Sequence, residues 1–164
     1  MKTREQLEKA YTAARGTMIA VFAFTCINIV LQITNAELFF LFSASLPQLA
    51  LFLDATVDLW TREYTFTALG IALAFVAALP YIVFWFASSK SKVWILAALI
   101  YFAIDLIVLI VLVVMAGGFG EFDVFLIIEL VFLAWILISL AMGTKAWLDL
   151  KKMPPTDQPP QNHL

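Results

Sequence analysis

The sequence predicts an all-α integral membrane protein: a bundle of four transmembrane helices, with both termini in the cytoplasm and an amphipathic or re-entrant helix in the first external loop. Hydrophobic residues make up 63% of the 164 residues, and the mean hydropathy is +0.97. A helix of ~20 residues crosses the hydrocarbon core of a bilayer. Four apolar stretches are close to this length, at about residues 16–34, 67–88, 93–115 and 124–144.

These four stretches leave too little chain for a soluble domain of usual size. We therefore predict a single membrane domain over residues 1–152, in a multi-pass protein of the cell membrane that contacts the lipid bilayer. The remaining segment, residues 153–164, is polar and rich in proline. Such a composition predicts a disordered cytoplasmic tail.

Basic side chains determine the predicted orientation. Nine of the ten Lys and Arg residues precede the first stretch, lie in the loop between the second and third, or follow the fourth, and Arg62 alone lies on the opposite side. Cytoplasmic loops of membrane proteins are enriched in Lys and Arg. Both termini are therefore expected in the cytoplasm.

The segment before the first stretch is predicted to be a helix that continues into it. Thr3 and Gln6 have the spacing of a capping box. Glu5 and Lys9 have the spacing of an i,i+4 ion pair. The apolar residues that recur on one helical face are Leu7, Tyr11, Ala14 and Met18.

The first external loop contains a further apolar segment, Phe39–Leu53, whose fifteen residues are short for a span. Ser45 and Gln48 have capping-box spacing, and Pro47 is suited to a first helical turn. We expect an amphipathic helix on the outer surface, either as a lid or as simple packing over the bundle, or a re-entrant segment. The apolar residues that would share its face are Leu46, Leu49, Ala50, Leu53, Val57 and Trp60.

Small residues and proline give the second stretch its predicted packing. Gly70, Ala74 and Ala78 recur every four residues, a spacing that permits close approach of another helix. Pro80 is expected to kink the helix. Between the third and fourth stretches, the glycine-rich residues 116–120 predict a tight turn.

Composition excludes several function classes. Cys26 is the only cysteine, which excludes an intramolecular disulfide and a CxxC redox pair. His163 is the only histidine and is the penultimate residue, which argues against a catalytic triad or a histidine metal centre. The net charge of -2 predicts no nucleic-acid binding. No metal, cofactor or enzymatic activity is predicted.

Two acidic residues, Asp105 and Glu129, interrupt the third and fourth apolar stretches. A charge at the bilayer centre costs roughly 2.5–3.5 kcal/mol on insertion scales. Asp105 is twelve residues before Gly117 and Glu129 is twelve after it, so both are expected at about the same depth of a hairpin. We expect them to be protonated, to share a cation or to face a water-filled cavity; alternatively, each bonds a neighbouring helix as part of its packing.

The first stretch carries polar residues that are candidate partners of these acids. Asn28 and Gln32, together with Thr25 and Asn35, recur at steps of three and four and share one face. They are predicted to form a polar site with Asp105 and Glu129 that opens towards the outside. The alternative is that the amide side chains only hold helices together.

The leading functional hypothesis is binding and translocation of a proton, a cation or a small solute, by a protein that forms homo-oligomers. Asp105 and Glu129 would bind the ion, and Asn28 and Gln32 would orient the ligand. The alternative is a non-enzymatic accessory subunit, in which the acids pair with cations of another membrane protein. A membrane enzyme ranks third, because no nucleophile or metal set is visible.

Overall fold

The computed structural model describes residues 3–36, 43–57, 64–115 and 124–153. Within them the chain forms five helices and one short strand pair. The predicted glycine-rich turn at 116–120 and the tail after Met153 lie outside the described residues, as do Trp60 and Arg62. The elements are α1 (Arg4–Ile33), α2 (Ser45–Asp54), β1 (Thr56–Val57), β2 (Tyr64–Thr65), α3 (Ala68–Lys90), α4 (Trp94–Met115) and α5 (Val124–Lys152).

Four of the helices, α1, α3, α4 and α5, are long and apolar enough to cross a membrane, which agrees with the four predicted apolar stretches. α1 packs against α5 and α3, and α4 packs against α3 and α5. All four carry exposed apolar side chains on their outer faces. These features suggest a multi-pass membrane protein. We call the end where α1 begins and α3 ends the basic end, and the opposite end the loop end.

α1 is one helix of 30 residues, so its predicted continuity with the N-terminal segment is confirmed. The capping box is formed: Gln6 N–H donates to Thr3 Oγ1 (3.3 Å), and Thr3 N–H donates to Gln6 Oε1 (3.1 Å). The ion pair in this segment joins Arg4 to Glu8 (3.2 Å). The helix ends before Asn35, which has a φ of 51°, a conformation that asparagine tolerates better than most residues.

Side chains of α1 contact the last turns of α3 at the basic end. The Tyr11 hydroxyl donates to the Ser88 carbonyl (2.7 Å). Arg15 donates to Ser88 Oγ (2.9 Å) and to the Trp85 carbonyl (3.2 Å). A cation near a helix C-terminus interacts favourably with the helix dipole, so these contacts fix α1 to α3.

Small residues permit the closest helix contacts. A Cβ on Gly143 of α5 would overlap the Cβ of Ala14 in α1 and lie 2.6 Å from Ile95 Cδ1 of α4. The predicted small-residue stripe of α3 is also buried at all three of its positions. Its two alanines pack against Ile29 of α1 and Leu51 of α2. The stripe therefore lets α1 and α2 approach α3.

The helix predicted in the first loop is present, but it is shorter than expected. It ends at Asp54, and the next residues form β1, which pairs antiparallel with β2. The predicted apolar face is therefore wrong beyond Asp54, where the helix has ended, and also at Leu53. Leu51 is fully buried whereas Leu53 is 75% exposed, because the buried side of α2 is the side that faces α3.

Candidate functional site

Asp105 lies in the interior of the bundle and binds the start of α2. Its side chain is fully buried. Ser45 N–H donates to Oδ2 (2.8 Å), and Leu46 N–H donates to Oδ1 (2.7 Å). A carboxylate at a helix N-terminus interacts favourably with the positive end of the helix dipole. Asp105 of α4 therefore caps α2 from a position 60 residues away in sequence.

Every backbone N–H group in the first turn of α2 has an acceptor. The first four N–H groups of a helix, starting at the N-cap, have no partner within the helix. Here the N-cap is Ala44, whose N–H donates to Thr25 Oγ1 of α1 (2.8 Å). The N–H groups of Ser45 and Leu46 donate to Asp105. The fourth position is Pro47, which has no N–H. Thr25 and Asp105 together satisfy the whole turn.

The capping box predicted for Ser45 and Gln48 is wrong. Ser45 is the first helical residue, and its neighbour Ala44 makes no side-chain cap bond. Gln48 Nε2 instead donates to Ser43 Oγ (2.6 Å). The physical reason is that the cap comes from α1 and α4, so the local spacing of polar residues does not identify it.

α2 occupies half of the height of the bundle. Asp105 is the twelfth of the 22 residues of α4, so α2 begins near the middle. Ten helical residues span ~15 Å, so α2 reaches the loop end at Asp54. The carboxylate of Asp54 accepts hydrogen bonds from the N–H and the hydroxyl of Thr67. Thr67 is the N-cap of α3. In the structure α2 is a half-helix packed within the bundle, and whether it is re-entrant in a membrane stays a prediction.

The end of α2 packs closely against the start of α3 at the loop end. Thr67 Oγ1 also accepts from Gly70 N–H (3.2 Å), so Asp54, Thr67 and Gly70 form one hydrogen-bonded chain. A Cβ at Gly70 would overlap the carboxylate of Asp54. Both ends of α2 are thus held by carboxylates, with Asp105 at its start and Asp54 at its end.

Two tyrosines complete the surroundings of Asp105. Tyr101 lies one turn before Asp105 on α4, and Tyr81 of α3 contacts the Tyr101 ring. Their rings pack edge to face, with centroids 5.3 Å apart. The Tyr101 hydroxyl donates to the Ala77 carbonyl (2.8 Å). From the sequence, both tyrosines could be hydrogen-bond donors, but aromatic packing is the more common role of such residues and does not assign them to the site.

The structure unites some of the predicted site residues. Thr25 and Asp105 meet at the start of α2. Asn28 is fully buried on the same face of α1, and Gln32 has a buried Oε1 without a hydrogen-bond partner among the described residues. Glu129 is partly buried on α5. Ligand binding by these residues stays a prediction.

A separate groove lies between α1 and α5. It has a volume of about 270 Å³ and an almost wholly apolar lining that includes Gly16, Ala20 and Trp135. None of the predicted site residues lines it. Among the described residues, no cluster of three His, Cys, Asp or Glu side chains is placed to hold a metal ion.

No protein family, curated protein or solved structure matches this chain. The indications of function come from the contacts of α2. Those contacts bring together a half-helix, a buried carboxylate and the polar face of α1.

Proposed function

We propose that the protein binds a proton, a cation or a small polar solute in the half of the bundle that contains α2, and passes it across the membrane. The observation that carries this proposal is the start of α2 at half height, beside the fully buried Asp105. Non-helical backbone at membrane depth is tolerated only where protein buries it or where it lines a water-filled cavity. Interrupted helices that end near the midplane are also typical of transport proteins.

The polar face of α1 supplies the route to this position. From Thr25, which bonds the start of α2, Asn28 is ~4.5 Å and Gln32 ~10 Å further towards the loop end. The buried Oε1 of Gln32 has no partner among the described residues, so it is available to a ligand. Asn28 and Gln32 would orient the ligand, and Asp105 with Glu129 would supply negative charge.

The distribution of basic residues predicts which end of the bundle faces the outside. Lys and Arg residues concentrate at the basic end, and the positive-inside rule places that end in the cytoplasm. The loop end, with α2, then faces the outside. The ligand would enter beside Gln32 and reach the level of Asp105.

Flux into liposomes tests this proposal. The purified protein is reconstituted into vesicles that contain a pH-sensitive dye, and proton entry is driven by a potassium diffusion potential; sodium and potassium are then tested as alternative ions. We expect flux above that of protein-free vesicles, with an approximately tenfold loss in Gln32→Leu and in Asp105→Asn. Gln32→Leu matters because Gln32 does not hold α2, so its loss of flux is not explained by unfolding.

Glu8→Gln is the matched control for these variants. Glu8 is exposed and pairs with Arg4 outside the site, so its substitution should leave flux unchanged. Translocation of a proton or cation is contradicted if the native protein conducts none of the three ions above the protein-free rate. The proposed site is contradicted if Gln32→Leu and Asp105→Asn both retain native flux.

One observation favours the accessory-subunit alternative. Gly16 and Ala20 expose a small-residue face on α1, and a Cβ at Gly16 would meet no atom within 4 Å. Such a face permits close approach of a helix from another protein. Asp105 is buried within the chain and would not be the docking point. Purification in mild detergent as a single species without a partner would count against this alternative.

A further inference from the structure

The apolar groove between α1 and α5 is not used by the proposed translocation. On α1 it extends from Ala13 to Val21, a rise of ~12 Å. Ala13, Gly16 and Ala20 are small and exposed on this side, and a Cβ at Gly16 would meet no atom within 4 Å. Trp135 forms a wall on the α5 side and is itself 55% exposed. The groove is therefore open at the outer surface of the bundle.

The lining of the groove favours an apolar occupant. Among the described residues that line it, the only hydroxyl group is that of Thr17. This hydroxyl donates to the Ala13 carbonyl (3.2 Å) and shares a hydrogen bond with Ser139 Oγ (2.9 Å), so it already has partners within the protein. A polar ligand would lose its hydration here without gaining hydrogen bonds in return. A hydrocarbon chain has no such cost.

The shape of the groove favours an acyl chain over a helix of another protein. A helix with its side chains is ~10 Å across, whereas the groove has a volume of about 270 Å³. Trp135 stands beside the small residues of α1, and a second helix would have to displace its ring to reach Gly16. A single acyl chain is slender enough to lie between the ring and α1.

Basic residues lie at the end of the groove where the headgroup of such a lipid would be. Lys9 is exposed, shares a helical face with Ala13 and lies ~6 Å nearer the basic end. Among the described residues, Lys and Arg outnumber acidic residues at this end by eight to three: Arg4, Lys9, Arg15, Lys90, Lys92, Lys145, Lys151 and Lys152 against Glu5, Glu8 and Asp149. Basic clusters beside transmembrane helices attract anionic lipid headgroups.

We propose that the groove binds one acyl chain of an anionic glycerophospholipid, with the phosphate of its headgroup beside Lys9. The chain enters the groove at the level of Ala13 and follows α1 towards Val21. The apolar groove holds the chain, and the positive charge at its mouth selects the headgroup. The site goes beyond the proposed translocation and does not rest on it, because no residue of the translocation site lines the groove.

Native mass spectrometry of the purified protein in mild detergent tests this proposal. The protein is titrated with phosphatidylglycerol and, separately, with phosphatidylcholine, and bound lipid and oligomeric state are read from the same spectra. We expect one phosphatidylglycerol per chain, bound at a lower concentration than phosphatidylcholine. Ala20→Leu places a larger side chain in the groove and should abolish this adduct. Ala141→Leu is the matched control, because Ala141 is exposed on α5 but does not line the groove, and it should bind as the native protein does.

Lys9→Gln tests the contact with the headgroup. One basic residue beside an anionic lipid contributes roughly fivefold in affinity, so we expect phosphatidylglycerol to bind about fivefold more weakly and phosphatidylcholine to be unaffected. Lys90→Gln removes the same charge from the exposed end of α3 and should leave phosphatidylglycerol binding close to native.

Three results would overturn the proposal. Equal phosphatidylglycerol binding by Ala20→Leu and Ala141→Leu would show that the groove does not hold the acyl chain. Equal weakening by Lys9→Gln and Lys90→Gln would show that Lys9 does not contact the headgroup. A native dimer, or a complex with another protein, that Ala20→Leu converts into a lipid-free monomer would show that a helix occupies the groove instead.

Discussion

Substituting Asp105 should undock the first turn of α2. Asp105→Ala removes the acceptor of two buried N–H groups, those of Ser45 and Leu46. A buried donor left without a partner costs ~1–3 kcal/mol, so the two together should lower the free energy of unfolding by ~2–6 kcal/mol. Asp105→Asn keeps one acceptor oxygen and should cost about half as much.

Thermal unfolding in detergent measures this loss. For a chain of this size, 1 kcal/mol corresponds to ~2–4 °C, so Asp105→Ala should lower the melting temperature by at least ~4 °C. Ile104→Ala is the matched control, because Ile104 is adjacent to Asp105 on α4 but 49% exposed. This substitution should change the free energy of unfolding by no more than ~0.5 kcal/mol in either direction. The reasoning is refuted if Asp105→Ala melts at the native temperature, or if Asp105→Asn destabilises more than Asp105→Ala.

Two further predictions concern helix contacts. Gly143→Ala should lower the melting temperature by several degrees, because the new Cβ would overlap Ala14. Gly16→Ala should leave the melting temperature unchanged or raise it slightly, because the space around Gly16 is open and alanine favours a helix by ~0.5–1 kcal/mol. Equal shifts in the two variants would contradict this packing. Thr25→Val retains the shape of Thr25 but removes the acceptor for Ala44 N–H, which should cost ~1–3 kcal/mol. Urea unfolding of Thr25→Val measures that cost, and a native midpoint would show that Thr25 does not cap α2.

The long helices could be predicted because their signals are local. Each span is a continuous apolar stretch, and the start of α1 is marked by a capping box between Thr3 and Gln6 that the structure contains. The small-residue stripe of α3 was also predictable, because its spacing places all three residues on one side of a helix. Such patterns need no knowledge of the tertiary fold.

The placement of α2 could not be predicted in the same way. Its cap is supplied by Asp105, 60 residues away, and by Thr25 of α1, whereas Ser45 and Gln48 gave a misleading local signal. The sequence did identify Asp105 as an unusual buried acid, and Thr25 as part of a polar face. Equal depth in a hairpin predicts that Asp105 and Glu129 lie at the same level, and their joint role stays a prediction.

Hydrogen exchange of the native protein in lipid nanodiscs tests the central claim, that α2 is a half-helix anchored inside the bundle. The decisive amides are those of Ala44, Ser45 and Leu46, resolved individually by fragmentation in the mass spectrometer. In a helix on the membrane surface these first-turn groups have no helical partner and would exchange rapidly. If Thr25 and Asp105 hold them, they should exchange at least a hundredfold more slowly than an unprotected amide. Exchange of all three at the unprotected rate would contradict the structure described here.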